Sequence, residues 1–334
     1  MQGADRELVE IGEFYSGTWR AILHEEKANS TKIDEADLWH RRMGHASVDA
    51  ILQLEGQARG VPPISKTLKE KCEICILGKN SRKPFNKVPQ EKATRPLQLV
   101  HSDVCGPIHP TSTGGANFFS TFTDEKTKYL KLYTQSKKSE TINKLKEYYK
   151  ITKKNSKEKM ECWRSDGGGE FNSNEVKEYC KRKGIRQQIT PPDTPQWNGT
   201  AERMNRTIIE KVRCMLLDSG LDHQLWAEAA ATAAYLYNRT PCKGLGGKTP
   251  YEAWTGFKPA LGHLRTFGCQ AHVQVLEKDR KKLDPKTIKL TFVGYDLENG
   301  SYRFWNPKTR KIVRSRDAEF IERREEKKEE VETI

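Results

Sequence analysis

The sequence predicts a multidomain α/β protein: a small His-Cys zinc-binding module, a mixed-sheet core with flanking helices, and a small C-terminal β-barrel. Three observations predict it. Residues 97–239 run in the order three strands, helix, strand, helix, strand, helices, which matches a mixed sheet with helices on both faces. Ahead of that block, two histidines and two cysteines fall in short pairs. After residue 262, short β-branched and aromatic runs recur about every dozen residues. The expected boundaries are an N-terminal extension at 1–35, the zinc-binding module at 36–90, the core with a helical extension at 91–258, the barrel at 259–322 and a charged tail at 323–334.

Each core element has its own signal. LQLVHSDV, ANFFSTFTD and KYLKLYT are strand-like runs broken by Gly-rich or Asp/Lys turns. SKKSETINKLKEYYKIT reads as a helix with Ile142, Leu145, Tyr149 and Thr152 on one side. KMECWRS is a strand ending at SDGGGE. NSNEVKEYCKRKG is a helix opened by a cap-type residue and stopped by Gly184. IRQQIT is the next strand, and TPPDTPQWNG is a loop by its prolines and Asn-Gly. TAERMNRTIIEKVRCMLLDSG carries Met204, Ile208, Val212 and Met215 at helical spacing. Asp222 caps a following alanine-rich helix that Pro241 ends. In the C-terminal block RTFGCQAHVQV, KLTFVGYD, SYRFWNP and KIVRSRDAEF read as strands.

Bulk properties narrow the function. The chain of 334 residues carries 59 Lys and Arg against 45 Asp and Glu, a formal charge of +14, which suits a polyanionic partner. No apolar run reaches the roughly 18–20 residues a membrane span needs, and MQGADRELVEIGEFY lacks the apolar stretch of a secretion signal. Of eight cysteines only Cys72 and Cys75 are closely paired, a pattern of a reducing compartment rather than a disulfide framework.

His40-x4-His45 precedes Cys72-x2-Cys75 with 26 residues between the pairs. Zn²⁺ takes four tetrahedral N and S ligands, and two short pairs close such a site. Four protein ligands leave no open position, so the predicted role is to fold a module too small to hold its own core. A redox Cys-x2-Cys and a plain surface helix are the competing readings.

Asp103 closes the first core strand, Asp166 closes WRSD, and Glu202 opens a helix. Function in open α/β sheets gathers at the carboxyl ends of strands. Clustered carboxylates repel unless cations lie between them, and oxygen ligands suit Mg²⁺ or Mn²⁺. Asp124 and Asp193 are also acids near strand ends or loops, so spacing and local sequence must choose among them.

LWHRRMGH, CEICILGK, HSDVCGPI, RSDGGGEF and PQWNGTAERMNRT, followed by TPYEAWTGFKPALGHLRTFGCQAHV and KLDPKTIKLTFVGYD, resemble successive motifs of copia-type LTR-retrotransposon integrases. The resemblance runs from about residue 37 to 321, in the family's order. The 35 residues between Asp166 and Glu202 match the interval of the Asp-Asp-Glu core. The resemblance implies a ribonuclease-H-like core, Asp103, Asp166 and Glu202 as catalytic magnesium ligands, and His40, His45, Cys72 and Cys75 as zinc ligands. It implies an integrase with endonuclease activity that acts on DNA, as element ends and target, in a homo-oligomer, in the nucleus after a cytoplasmic particle stage. Neither a membrane nor a small-molecule cofactor is expected. The sequence departs from the family at Gly167, Trp197 and Thr200, where Asn, Gln and Val are usual; none is a metal ligand.

Trp197, Asn198, Arg203, Asn205, Arg206 and Lys211, with Arg213 beyond, are candidate DNA contacts around Glu202. For each, solvated or packed surface is the competing reading. Lys153, Lys154, Lys157 and Lys159 read as a solvated loop. Lys281, Lys282, Lys286 and Lys289, with Tyr302 and Trp305, suit DNA backbone contact or oligomer assembly. The rival functions are a catalytically silent or host-adopted nucleic-acid-binding remnant and a nuclease that cuts without joining.

Overall fold

The computed structural model describes residues 13–15, 18–20, 35–58, 60–61, 64, 72–79, 93–156, 158–190, 199–296 and 299–322. A first unit, Met1–Asp34, contains an antiparallel hairpin of β1 (Glu13–Tyr15) and β2 (Thr18–Arg20). All else belongs to a second unit, described on its own below.

That unit opens with four short helices: α1 (Glu35–Arg42), α2 (Val48–Leu52), α3 (Leu54–Gln57) and α4 (Glu73–Lys79). The core sheet follows. Strands β3 (Leu99–Cys105), β4 (Phe118–Asp124) and β5 (Leu130–Gln135) form an antiparallel meander. Helix α5 (Thr141–Asn155) then crosses to β6 (Cys162–Ser165), which runs parallel to β3. Helix α6 (Asn174–Lys183) returns the chain to β7 (Arg186–Ile189), parallel to β6. The sheet order is β5-β4-β3-β6-β7, the mixed sheet expected from the strand and helix order.

Period-two alternation divides the sheet's side chains between two cores. Val100, Phe122 and Trp163 meet Leu145 and Tyr148 of α5 and Val176 and Tyr179 of α6. The buried stripe of α5 is Ile142, Leu145, Tyr148 and Thr152, so Tyr148 takes the place expected of Tyr149, which packs at the margin. Tyr148 stacks on Phe122 at 4.9 Å. Ser173 caps α6 by accepting from the Val176 N–H, and Gly184 ends it at φ 68°, the left-handed conformation that favours glycine.

The other face packs on α7 (Gly199–Ser219) and α8 (Trp226–Tyr237). Asp222 caps the turn before α8 by accepting from the Gln224 N–H at 2.7 Å. Helix α9 (Pro250–Thr255) was not anticipated. Its signals are nonetheless present in TPYEAWTG: a Thr249 cap, proline in the first turn and Gly256 past the end. Among the described residues no helix is long and apolar enough to cross a membrane.

Strands β8 (Gln270–Gln274), β9 (Thr287–Asp296), β10 (Ser301–Asn306), β11 (Lys311–Ser315) and β12 (Ala318–Ile321) form a separate antiparallel sheet in the order β11-β10-β9-β8-β12. The run expected as one strand, KIVRSRDAEF, breaks where Ser315 Oγ accepts from the Asp317 N–H at 3.1 Å. In a flat sheet β12 would lie about 14 Å from β10, three strand spacings away. Yet the Phe320 ring is 4.9 Å from Tyr302 and 5.8 Å from Phe304. The sheet therefore curls around its own aromatic core, as a small barrel requires. It docks on α8 through Arg303, which grips Glu228 with two bonds of 2.7 and 2.6 Å.

Candidate metal centres and the helix that joins them

The first centre forms where α1 turns back on itself. Gly44 and His45 both adopt positive φ, near 59°, and the His45 N–H reaches the His40 carbonyl at 2.7 Å. This swings the second imidazole over the first. His45 Nδ1 lies 3.2 Å from His40 Nε2, Cys75 Sγ 3.2 Å from His40 Nε2, and Cys72 and Cys75 Sγ 3.5 and 3.7 Å from His45 Nδ1. A tetrahedral Zn²⁺ has nitrogen–nitrogen edges of about 3.3 Å and nitrogen–sulfur edges of about 3.6 Å. The four ligand atoms therefore fit such an ion. Among the described residues they are the only group of three or more His, Cys, Asp or Glu whose ligand atoms all lie within 4.8 Å of one another.

The outer contacts orient the rings. His40 Nδ1 bonds the Ala46 carbonyl at 2.7 Å, which directs Nε2 to the cluster. His45 Nε2 lies 3.7 Å from Asp218, itself held by Arg41 at 3.0 Å. Burial opposes a charge on His45, but Asp218, Cys72 and Cys75 outweigh it and push its pKa up to about 10. The same pairing, against burial, draws the Cys72 thiol below its ordinary range. Lys79 donates to the His45 carbonyl. A fifth group, Cys214 of α7, donates to the Ile74 carbonyl and sits under Gly78, where a Cβ would come within 2.4 Å of its sulfur. Among the described residues the module's apolar side chains do not form a core of their own: Trp39, Met43, Ile51 and Leu54 share one cluster with Ile208, Val212 and Met215 of α7. Arg42 also pairs with Glu322 beyond β12 at 2.7 Å.

The second centre lies at the carboxyl ends of β3 and β6 and the first turn of α7. Asp103 is half-buried. Burial first, then the charges of Asp166 and Glu202, push its carboxyl up to about 7, against the Val104 N–H and the Asn205 amide. Asp166 and Glu202 are thus within reach of Asp103 for their charges to act on it, but the three acids do not form a compact group of ligand atoms as the His-Cys cluster does. Asp166 Oδ1 accepts from the Gly168 N–H at 3.1 Å. A Cβ at Gly168 would stand 3.1 Å from that oxygen and 2.9 Å from Glu170 Oε2, so a larger residue there would push aside the two carboxylate ends. A Cβ at Gly167 would meet only ordinary contacts, the nearest at 3.8 Å, so nothing local demands the departure from Asn. Glu202 is exposed, where a carboxylate also complements the helix dipole. Three carboxylates that repel one another fit a divalent cation in chemistry.

Two family models match parts of the chain. Residues 17–80 match the GAG-pre-integrase domain and residues 269–333 the retroviral polymerase SH3-like domain. The retrovirus-related Pol polyprotein from transposon TNT 1-94 of Nicotiana tabacum is 41% identical over 86% of this chain and 21% of its own length. The chain belongs to the retrotransposon Pol family, as a segment of its integrase region. The Pol polyprotein from transposon RE1 of Arabidopsis thaliana is 30% identical over 85% of the chain and 19% of its own length. The segment thus spans about a fifth of the curated relatives it matches. Among solved structures, the simian T-cell lymphotropic virus intasome in complex with PP2A regulatory subunit B56 gamma is 14% identical, with a TM-score of 0.43 over 75% of this chain and 84% of that one. A likeness that loose adds nothing to the assignment, which rests on the sequence relatives.

In this integrase segment the other expected site residues fall into three groups. Arg203 and Arg206 are exposed on α7 beside Glu202. Trp197 and Asn198, with Asp193, lie outside the described residues. Asn205 and Lys211 are not surface contacts: they are 7% and 6% exposed. Asn205 bonds Asp103, and Lys211 donates to the carbonyls of Met43 and Gly44 at 3.0 and 3.4 Å. Asp124 is buried and ties its own turn together through Leu97 and Thr127, which removes it as a rival ligand. Tyr302 and Trp305 are turned inward, Tyr302 into the barrel's aromatic core and Trp305 against α8, so Lys281, Lys282, Lys286 and Lys289 act without an aromatic partner from those two. Lys153 and Lys154 are exposed but belong to the last turn of α5 rather than to a loop; Lys159 is exposed in the connection to β6, and Lys157 lies outside the described residues. Sequence reasoning missed Thr121, Asp218 and Cys214; the last two lie on the Glu202 helix, but nothing in the linear pattern pairs them with His45 or Cys75.

Proposed function

We infer that the chain is a metal-dependent polynucleotidyl transferase that joins element DNA ends to target DNA. The observation that supports this reading is that Asp103 on β3 and Asp166, just past the neighbouring parallel strand β6, share one end of the sheet, while Asn205 of the Glu202 helix bonds Asp103. The fit of these acids to divalent cations makes them the magnesium or manganese ligands. Two such ions, when bound, supply the charge that favours in-line displacement at a phosphodiester.

The chain's own residues set the geometry. Asn205 and the Val104 N–H each occupy one Asp103 oxygen, at 3.0 and 2.8 Å, which fixes the carboxylate plane. The Gly168 amide does the same for Asp166. Glu202 approaches from a separate element, so the set closes only when α7 is in place. Arg203 and Arg206 present cations for phosphates on the same turns. Water in place of a terminal 3′ hydroxyl gives the endonuclease step. The His-Cys cluster serves as a structural zinc site that holds α1 and α4 against α7.

DNA ends, target DNA and a multimer follow from this reading, since concerted joining needs two ends; so does action in the nucleus. The test is joining of element-end oligonucleotides to plasmid by purified protein. Joined product that requires Mg²⁺ and vanishes with chelator supports the reading. Cut but unjoined product, or salt-sensitive DNA binding with no product, contradicts it.

A further inference from the structure

A cavity of about 290 Å³ lies where the His-Cys module, α7 and the segment after α8 meet. At roughly 30 Å³ per water this is room for about ten waters. Its wall includes Ser47 and Lys79 from the module, Thr207 and Lys211 from α7, and Thr240 and Lys243 from beyond α8. None of the candidate metal ligands lines it.

Lys211 is the unusual member. Its side chain is buried, and its ammonium has three donors, of which two go to the Met43 and Gly44 carbonyls. No carboxylate is among the groups that act on its charge. Burial and Lys79 oppose that charge and hold its pKa down to about 7, against weaker relief from Cys214 and Cys75. Burying an ammonium without a carboxylate partner is costly, and the neighbouring Lys79, held on the His45 carbonyl, adds to that cost. Glu210 is the one acid on the wall, against three lysines. Lys243 stands at the mouth, 84% exposed and loosely paired to Asp49 at 3.3 Å. Ser47, before α2, makes no capping bond with its hydroxyl.

We propose that this cavity is a phosphate-binding site, with Lys211 as its floor and Lys243 and Ser47 at its mouth. The third ammonium donor of Lys211 meets a phosphate oxygen, and the anion supplies the missing countercharge. The phosphate comes either from a DNA backbone or from a free inorganic anion. Thr207 lies five residues along α7 from Glu202, about 7.5 Å of helix. The cavity lies round α7 from the face that carries Glu202, so a DNA backbone reaching both would have to pass around the helix. The site is independent of the catalytic reading, since it uses none of the three acids.

The experiment is a ³¹P NMR titration of inorganic phosphate with zinc-loaded full chain, in magnesium-free buffer at fixed ionic strength. Saturable broadening from one site per chain is expected, unchanged by Asp166→Asn. Lys211→Met should weaken it at least about tenfold. Ser47→Asp should do the same while keeping a good helix-capping residue, so the test survives if Lys211→Met disturbs the fold. Displacement by a short duplex identifies DNA phosphate as the ligand; persistence beside bound duplex identifies a free anion. Absence of saturable broadening in the wild type, or equal affinity in Ser47→Asp, overturns the proposal.

Discussion

Asn205 Nδ2 donates to Asp103 Oδ2 at 3.0 Å, while its own Oδ1 accepts from the Thr121 hydroxyl at 2.8 Å. Thr121 sits directly opposite Asp103 across the β3–β4 ladder. One buried amide therefore ties the candidate catalytic strand, its neighbour and the Glu202 helix together, three residues from Glu202 itself.

This bridge makes Asn205 a positioning residue. A hydrogen bond to a charged group contributes about 1.5–3 kcal/mol, or roughly 10–100-fold in rate. Asn205→Ala should lower kcat for strand transfer by that factor and leave KM for DNA nearly unchanged. Thr121→Val should have a smaller effect in the same direction. A rise in KM with unchanged kcat would return Asn205 to the role of a DNA contact.

Asp218 stands 3.7 Å behind His45, where with zinc bound it would act as the outer carboxylate of a carboxylate–histidine–metal arrangement. Loss of such a partner typically weakens metal affinity about 10–100-fold. Asp218→Asn should lose zinc to a chromogenic chelator at correspondingly lower chelator concentration. Wild-type retention of zinc by this variant would remove Asp218 from the site.

The Arg42–Glu322 pair makes stability depend on acid. Burial raises the Glu322 carboxyl, but the Arg42 guanidinium and the Thr266 N–H and hydroxyl outweigh it and hold it below its ordinary range. A depressed carboxylate contributes stability that is full above its unfolded pKa, near 4.3, and is lost as pH falls through the folded value. Glu322→Gln should destabilise the protein by about 1–3 kcal/mol at pH 7. The gap from wild type should shrink as pH falls from about 4.3 through the lower folded value. Denaturant melts across that range check it; a constant gap would contradict the pairing.

Arg203 and Arg206 are exposed beside Glu202 and are expected to meet phosphates rather than bases. Each change to Ala should weaken DNA binding about uniformly across sequences and reduce the magnitude of the salt slope by about one. An unchanged slope for both would place the DNA on another face.

Much of this was legible because period and spacing are local. The meander, both crossover helices and the His-Cys pairing follow from alternation, caps and short intervals. What escaped depends on which face of a helix is buried. Lys211 is nine residues from Glu202, or 900° at 100° per residue, and so points half a turn away from it. That arithmetic removes it from the catalytic face, but nothing linear shows the Met43 and Gly44 carbonyls that receive it. Asn205 looked like a surface amide because its partners, Asp103 and Thr121, lie 102 and 84 residues away. The inward turn of Tyr302 was hidden in the same way, since it depends on curl bringing β12 over β10.

The most direct measurement is strand transfer by purified wild type and Asp166→Asn, each loaded with zinc and assayed in Mg²⁺. Wild type should join element-end oligonucleotides to plasmid, and the variant should lose joining while keeping its zinc and its melting temperature. Equal joining by the two proteins would contradict the assignment of Asp103, Asp166 and Glu202 as the catalytic set.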